Sequence, residues 1–211
     1  IYLNTHVHEV TKGDAFIVRA GDNGFQAEAL VVATGGLSIP KIGATSFGYE
    51  LAKQFGLKIL ETRPALVPLT LSAADRSRYC DLSGLSASVV AEANGRQFRE
   101  KMLITHRGLS GPAILQISSY WKTPQAITID LAPNKNLTAP LRLPEAPRNL
   151  ATAKTAFRTS LAQRLADRWL ENNAPSKWTN QGLDELEHRA HHWQISPVGT
   201  EGYEKAEVTA G

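Results

Sequence analysis

Residues 30–36, Leu-Val-Val-Ala-Thr-Gly-Gly, constrain the fold of this chain more than any other segment. The four apolar residues predict a buried strand, because short apolar runs that end at turn residues are typical of strands covered on both faces. Gly35 and Gly36 then form a turn without side-chain bulk, where a ligand can approach the backbone closely. Ligands of open α/β sheets bind at such strand ends. An ordinary strand-to-loop turn remains the simpler interpretation of residues 33–36 taken alone.

Length and composition fit one sizeable globular domain or two small ones. The chain has 211 residues, of which 42% are apolar. No apolar run approaches the roughly 20 residues that cross a bilayer, so we expect no membrane association. Cys80 is the single cysteine and cannot form an internal disulfide, which favours a reducing cytoplasm as the location.

The net charge of +3 permits an RNA partner without indicating one. The basic residues of interest fall into two groups. For each group, the spacing favours a solvated face over RNA contact. The first group is Arg96, Arg99, Lys101 and Arg107, and the second is Lys154, Arg158, Arg164 and Arg168.

The first 64 residues alternate as strands around glycine turns. Segments 7–10 and 15–20 flank Lys-Gly-Asp, and residues 21–24 turn the chain into a strand over 25–34, which predicts a β-meander feeding the buried strand. Ser46 is then predicted to cap a helix that runs from Phe47 to about Phe55.

The middle of the chain is predicted to be strand-rich and its later part helical. Asn94-Gly95 indicates a hairpin between apolar segments, and Ser110 is the predicted N-cap of a short helix over 112–120. Four prolines mark a loop over 132–150. Helices are predicted over 151–171 and 182–193, the first with an apolar stripe. That stripe is Phe157, Leu161, Leu165 and Trp169.

Two further motifs carry groups that could do chemistry. Residues 105–113 read Thr-His-Arg-Gly-Leu-Ser-Gly-Pro-Ala, which places an imidazole that can donate a proton beside a guanidinium that can hold negative charge. We assign His106 as the candidate acid and Arg107 as the holder of negative charge. Equally, His106 could satisfy a loop carbonyl. The second motif is Gly-Thr-Glu-Gly-Tyr at 199–203 with Ala-Glu-Val-Thr at 206–209, where a structural pair of Glu201 with an arginine is the favoured interpretation.

Together with residues 37–57, these three motifs resemble the bile-acid-inducible-type FAD/NAD(P)-dependent oxidoreductases, a family of bacterial flavoproteins that includes a ribosomal-RNA dihydrouridine synthase. The resemblance covers nearly the whole chain. It implies a mixed α+β and α/β fold: the remnant of an FAD domain from a flavoprotein with two dinucleotide-binding domains, carrying an inserted barrel-like β-rich domain and a small helical bundle. The implied boundaries are 1–64 and 196–211 for the FAD domain, 65–133 for the β-rich domain and 134–195 for the helical part.

The resemblance also implies the cofactors and their contacts. FAD is the implied cofactor and NAD(P)H the electron donor, with Val7 beside the adenine and Ala33, Thr34, Gly35 and Gly36 beside the flavin nucleotide. Such enzymes begin with a Gly-x-Gly-x-x-Gly turn and end with a Gly-rich segment near the flavin. Neither is present, so we expect this chain to be an internal fragment that is inactive by itself and does not retain FAD.

The implied activity is reduction of an activated C=C bond, in a uridine of ribosomal RNA or in a conjugated steroid acid. Two alternatives stay open: a non-catalytic RNA-binding module, and a structural module that caps the substrate cavity. His188, His191 and His192 share helical spacing, but no cysteine or carboxylate arrangement completes a site, so we expect no metal.

Overall fold

The chain begins with a three-stranded antiparallel meander. The structure, a computed structural model, describes residues 1–211, and its strands β1 (Val7–Lys12), β2 (Phe16–Ala20) and β3 (Asn23–Ala27) pair in the order β1-β2-β3. The predicted turns lie between them. Helix α1 (Phe47–Gln54) follows, with Ser46 at its N-cap position; the Ser46 hydroxyl donates to the Glu50 carboxylate rather than capping a backbone N–H. The meander and the helix are confirmed.

The predicted buried strand over residues 30–34 is wrong. Residues 28–39 contain no strand, and the side chains of Val31 and Val32 are 85% and 46% exposed. A strand is stabilised by hydrogen bonds to a neighbouring strand and by cover on its faces, and none of the twelve strands pairs with this segment. The apolar run therefore lies uncovered on the surface.

A seven-stranded antiparallel sheet forms the centre of the molecule. Its strands are β5 (Leu69–Thr70), β6 (Ser86–Ala93), β7 (Arg96–Ile104), β8 (Gly108–Ser110), β9 (Ile127–Asp130), β10 (Trp193–Ile195) and β11 (Gly199–Thr200). The strand-rich prediction holds, with the last two strands supplied by the chain after the helices. The strands lie in the order β10-β9-β6-β7-β8-β5-β11. The two outer strands do not pair with each other, so the sheet does not close into a barrel.

Hairpin β6–β7 forms at the predicted Asn-Gly turn. Asn94 and Gly95 have φ of 50° and 70°, as a two-residue turn of type I′ requires, and Ala93 pairs with Arg96 directly beside it. Helix α2 (Ala73–Tyr79) precedes the hairpin and helix α3 (Pro112–Ser118) follows β8.

Ser110 does not cap α3, contrary to prediction. It belongs to β8 and pairs with Leu103, while Gly111 occupies the N-cap position with φ of 86°. A Cβ at Gly111 would lie 2.7 Å from the carbonyl oxygen of Lys101, so the close approach of β7 requires a glycine.

The helical part contains α4 (Leu150–Arg158), α5 (Gln163–Asn173) and α6 (Asn180–His191). A single helix over 151–171 was predicted, but the chain breaks at Thr159, whose hydroxyl donates to the Ala156 carbonyl and competes with continuation of the helix. The stripe of Phe157, Leu161, Leu165 and Trp169 is nevertheless buried across both helices. None of the six helices combines the length and apolar character that crossing a bilayer requires.

The hydrophobic core lies almost wholly in the middle of the chain. A cluster of 34 buried residues runs from Leu69 to Ile195, whereas Val10, Ala20 and Leu51 are the only buried residues before Ala65. The segments that precede and follow this core pair with each other: β12 (Val208–Ala210) lies antiparallel to β4 (Arg63–Ala65).

An imidazole joins the helical part to the sheet. His191 Nδ1 lies 2.7 Å from Asp130 Oδ1 at the end of β9, and His191 Nε2 lies 3.1 Å from Glu187 Oε1. Glu187 also accepts from the backbone N–H groups of Leu137 and Thr138, at 2.8 and 2.7 Å. Burial lowers the pKa of His191, but the hydrogen bonds to both carboxylates outweigh it and raise the pKa. Burial raises the pKa of Glu187, but these hydrogen bonds outweigh it and lower the pKa.

We predict that residues 65–195 fold without the flanking segments, because they contain the whole core cluster. Urea denaturation of this span should give one cooperative transition. Residues 1–64 alone, which bury three side chains, should give none. A broad melt of the 65–195 span would contradict the boundary.

We predict that the contribution of His191 to stability is lost as pH rises above its unfolded pKa of about 6.5. Its folded pKa is raised, so its contribution is complete below the unfolded pKa of about 6.5 and is lost as pH rises through the folded value. Urea midpoints measured across this range should therefore decline in the wild type, and His191→Gln should flatten the decline. The exposed His192→Gln is the control and should retain it. Equal pH profiles for all three proteins would show that the His191 imidazole makes no pH-dependent contribution to stability.

Candidate functional site

Segment 199–211 brings the three sequence motifs together. The backbone N–H of Ile39 donates to the Tyr203 carbonyl at 2.9 Å, and that of Glu201 donates to the Pro68 carbonyl at 3.0 Å. Glu201 also faces Arg107 on the β7–β8 turn. Segment 199–211 therefore contacts both the stretch that follows the glycine turn and the histidine-arginine turn, although long stretches of sequence separate them.

The hydroxyl of Thr209 fixes the turn after Gly36. It accepts from the backbone N–H groups of Leu37 and Ser38 at 2.8 and 3.1 Å, and it lies 3.0 Å from the Ser38 hydroxyl. A Cβ at Gly36 would lie 2.7 Å from the Thr209 hydroxyl oxygen. Gly36 is thus required by a contact within the protein. The sequence assigned no role to Thr209, because its partners are 172 and 171 positions away.

The other predicted cofactor residues in this turn are open to solvent. Ala33, Thr34 and Gly35 are exposed, Gly35 has φ of 74°, and a Cβ built there would contact nothing within 4 Å. The Thr34 hydroxyl would lie 2.7 Å from a Cβ at Gly48. The turn therefore rests on the first turn of α1 and leaves its Gly35 backbone accessible.

Val7 lies at a different place on the same helix. It is half-buried at the start of β1, in a cleft of about 500 Å³ that it lines with Phe47, Leu51 and Gln54 of α1. Strand β1 is an edge strand, so its main-chain groups that face away from β2 have no strand partner. Helix α1 is the common neighbour of Val7 and of the glycine turn.

His106 and Arg107 form the tip of the turn between β7 and β8. The turn is closed by Thr105, whose N–H donates to the Gly108 carbonyl at 2.8 Å and whose hydroxyl accepts from the N–H groups of Arg107 and Gly108 at 3.3 and 3.0 Å. Both tip side chains are exposed. The alternative in which His106 satisfies a loop carbonyl does not hold, because its imidazole forms no hydrogen bond within the protein and is exposed.

Arg107 is held from one side by a nearly buried carboxylate. Its Nη1 lies 3.6 Å from Glu201 Oε2, and the Glu201 side chain is only 7% exposed while that of Arg107 is 55% exposed. The predicted Glu–Arg pair therefore exists. The ion pair keeps the Glu201 carboxylate on one side of the guanidinium, and more than half of the Arg107 side chain stays open to solvent.

Tyr203 adds an unsatisfied group close to this junction. Its phenolic oxygen is buried and has no hydrogen-bond partner. Buried hydroxyls without partners are uncommon in folded proteins.

The two basic groups differ in the structure. Every member of the helical group bonds to another part of the protein. Three form ion pairs, Lys154 with Glu171 at 2.8 Å, Arg158 with Asp167 at 2.7 Å and Arg168 with Asp81 at 2.6 Å, and Arg164 donates to the backbone carbonyl of Asp81 at 3.0 Å. Hydrogen bonding to Arg158 lowers the pKa of Asp167. In the sheet group, Arg96 lies 5.7 Å over the Tyr120 ring and Arg107 meets Glu201, whereas Arg99 and Lys101 are unpaired.

The three histidines at the end of α6, of which His192 follows the last helical residue, do not converge. The rings of His188 and His192 stack with centroids 4.2 Å apart, and His191 turns toward Asp130 and Glu187. Their helical spacing therefore produces a stacked pair and a structural imidazole.

Comparison with known proteins assigns the chain to a family. Residues 63–208 match the family described as HI0933-like protein barrel and H2TH domain. The chain is 38% identical to a protein named ribosomal RNA dihydrouridine synthase from Haemophilus influenzae, over 93% of this chain and 50% of the relative. It is 41% identical to a protein of the same name from Escherichia coli, over 87% of this chain and 48% of the relative.

A third relative carries a different name. A 3-dehydro-bile acid delta(4,6)-reductase from Clostridium scindens is 30% identical over 57% of this chain and 30% of the relative. The chain spans about half the length of the two dihydrouridine synthases. The match over residues 63–208 covers most of the chain, which therefore belongs to the HI0933-like family.

Proposed function

We propose that this chain is part of a flavin-dependent oxidoreductase that reduces the C=C bond of a uridine in ribosomal RNA. The observation that carries the proposal is the identity of 38% and 41% to two proteins named ribosomal RNA dihydrouridine synthase, over 93% and 87% of the chain. The relative named as a bile-acid reductase is less similar and matches 57% of the chain. We therefore favour the uridine over a conjugated steroid acid.

Two features of the first 64 residues fit FAD. At Gly35 the backbone is exposed with open space beside it, which suits a ligand that approaches the main chain. At Val7 an edge strand offers main-chain donors and acceptors, which suit a purine edge. Ala33, Thr34 and Gly35 would hold the flavin nucleotide and Val7 the adenine. Gly36 would act indirectly, since its free space is filled by Thr209 and Tyr49.

The uncovered apolar surface supports an incomplete first domain. Val31, Leu57 and Leu60 are 85%, 63% and 61% exposed, and an apolar cleft of about 450 Å³ lies between Phe16 and α1. Contiguous apolar surface is usually covered by another part of a protein or by a partner. We propose that residues 1–64 and 196–211 belong to an FAD domain completed by further chain, with 65–133 as the β-rich domain and 134–195 as the helical part.

The chemistry divides between the cofactor and the turn at residues 105–108. FAD held by the first 64 residues and reduced by NAD(P)H would supply the hydride for one carbon of the C=C bond. The opposite carbon needs a proton, and the free, exposed imidazole of His106 donates it. The neighbouring carbonyl oxygen gains negative charge during the transfer, and the guanidinium of Arg107, oriented by Glu201, stabilises it.

We predict that His106→Ala and Arg107→Ala slow dihydrouridine formation by the full-length protein while its flavin stays bound. The first should cost about 10²–10⁴ in rate, as loss of a general acid does, and the second about 10²–10³, as loss of a charge-stabilising donor does. Turnover on ribosomal RNA and flavin absorbance are measured side by side.

The matched controls are His192→Ala and Arg76→Ala, which remove exposed side chains of the same two types away from the turn. Both should retain wild-type turnover. If the His106 and Arg107 variants turn over normally with full flavin, the catalytic assignment fails and the two residues serve only the turn.

A further inference from the structure

We propose that a groove between the outer face of the sheet and the turn joining α4 to α5 binds a backbone phosphate of the RNA substrate. Arg99 and Lys135 are its cations. The inference rests on the proposed function, because it takes RNA as the ligand, and it places part of the RNA contact away from the histidine-arginine turn. We call this site the phosphate groove; the residues that form it include Arg99, Lys135, Ser88 and Ser160.

The pleat of β7 directs Arg99 outward. Side chains alternate between the two faces of a strand, and Met102 and Ile104 of the same strand are fully buried in the core. Arg99 therefore lies on the opposite face, together with Lys101 two residues further along. Ser88 of β6 pairs with Lys101 and so shares this outer face.

A tight turn presents Lys135 to the same groove. Pro133 and Asn134 occupy its central positions, Asn134 has φ of 64°, and the N–H of Lys135 donates to the Ala132 carbonyl at 3.0 Å. Proline followed by a residue of positive φ is the arrangement of a type II turn. The backbone that carries Lys135 is therefore fixed without any contribution from its ammonium group.

The polar side chains of the phosphate groove have no partners within the protein. Arg99 and Lys135 belong to none of the ion pairs within 4.0 Å, and the hydroxyls of Ser88 and Ser160 belong to none of the side-chain hydrogen bonds. Two unpaired cations that line one concave site repel each other, and an anion between them removes that repulsion. Two hydroxyls add neutral donors suited to phosphate oxygens.

The carboxylates nearest to this face are already engaged. Asp130 pairs across β6 with Val90, the residue opposite Arg99, but its Oδ1 is bound to His191 and to the N–H of Ala132. Glu92 accepts from Gln97 at 2.6 Å. No carboxylate lines the groove itself. The positive charge of Arg99 and Lys135 is therefore available to a ligand.

The size of the groove selects a phosphate rather than a whole nucleotide cofactor. Its volume is about 210 Å³, below the roughly 300–1,000 Å³ of sites that enclose small organic ligands. Lys101 extends the line of unpaired cations along β7, which suits a polymer with regularly spaced charges. Three basic residues of α4 and α5, in contrast, form ion pairs: Lys154 with Glu171, Arg158 with Asp167 and Arg168 with Asp81.

The test compares charge-matched double variants of the 211-residue chain. Filter binding of a uridine-containing single-stranded RNA oligonucleotide is measured over a salt series. Loss of two phosphate contacts should reduce the slope of log K against log salt by about 1.4, at about 0.7 per contact, in the Arg99→Gln/Lys135→Gln variant. The control, Arg76→Gln/Lys122→Gln, removes two exposed cations outside the groove and should retain the wild-type slope. Ser160→Asp adds a negative charge to the groove and should weaken binding as well.

Three results would overturn the phosphate groove: no RNA binding by the wild type, equal slopes for the wild type and the groove variant, or an equal loss in the control. Competition by inorganic phosphate that disappears in the groove variant, with RNA binding intact, would instead identify a site for free anions and also overturn the proposal. Dihydrouridine formation by the full-length protein separates this from the proposed function. Normal turnover and KM in the groove variant reject the groove alone, whereas absent turnover in the wild type rejects the function.

Discussion

The hydroxyl of Thr209 is the interaction on which the candidate site depends. One oxygen atom accepts two backbone N–H groups from the turn after Gly36 and contacts the Ser38 hydroxyl, while β12 fixes Thr209 itself against β4. Partly buried N–H groups that lose their acceptor cost about 1–3 kcal/mol each, so this small contact has a large effect on the turn. Through it, the last residues of the chain determine the shape of a segment near the start.

The seven-stranded sheet provides the rigid frame around that contact. Its core is continuous from Leu69 to Ile195, and the turn carrying His106 and Arg107 projects from it between two paired strands. Gly108 has no room for a side chain against the Leu69 carbonyl, which fixes the turn close to β5. Sites built on paired strands hold their geometry better than sites on free loops. The glycine turn at residue 35 does not lie between paired strands. It is held instead by the hydrogen bonds from the next two residues, Leu37 and Ser38, to the Thr209 hydroxyl.

Local patterns predicted most of the secondary structure and failed in two places, one for a local and one for a long-range reason. The meander and the Asn94-Gly95 hairpin follow from turn chemistry within a few residues, and the structure contains both. The helix predicted over 151–171 breaks because the Thr159 hydroxyl donates to the Ala156 carbonyl. The apolar stripe that predicted one helix gives no indication of this contact. The strand predicted over 30–34 has the right composition, but no strand is present to pair with it.

The same limit applies to the candidate site. The motifs containing Gly35, His106 and Glu201 were recognisable one at a time, and the Arg107–Glu201 pair was anticipated. Thr209 was not, because a hydrogen bond across 172 positions leaves no periodic trace in one sequence. Whether a basic side chain is paired, as in Arg158 and Arg168, or unpaired, as in Arg99 and Lys135, likewise depends on which acidic residues the fold places beside it. The spacing of charges along the sequence does not contain that information.

The most direct measurement is amide hydrogen exchange at Leu37 and Ser38 in the 211-residue chain. The central claim is that both ends of the chain form one site through Thr209. Thr209→Val removes the acceptor at nearly constant volume and should sharply accelerate exchange at these two amides, while Thr209→Ser retains the hydroxyl and should keep them protected. Exchange in the core strand β7 should be equal in all three proteins. Unchanged protection at Leu37 and Ser38 in Thr209→Val would contradict the account.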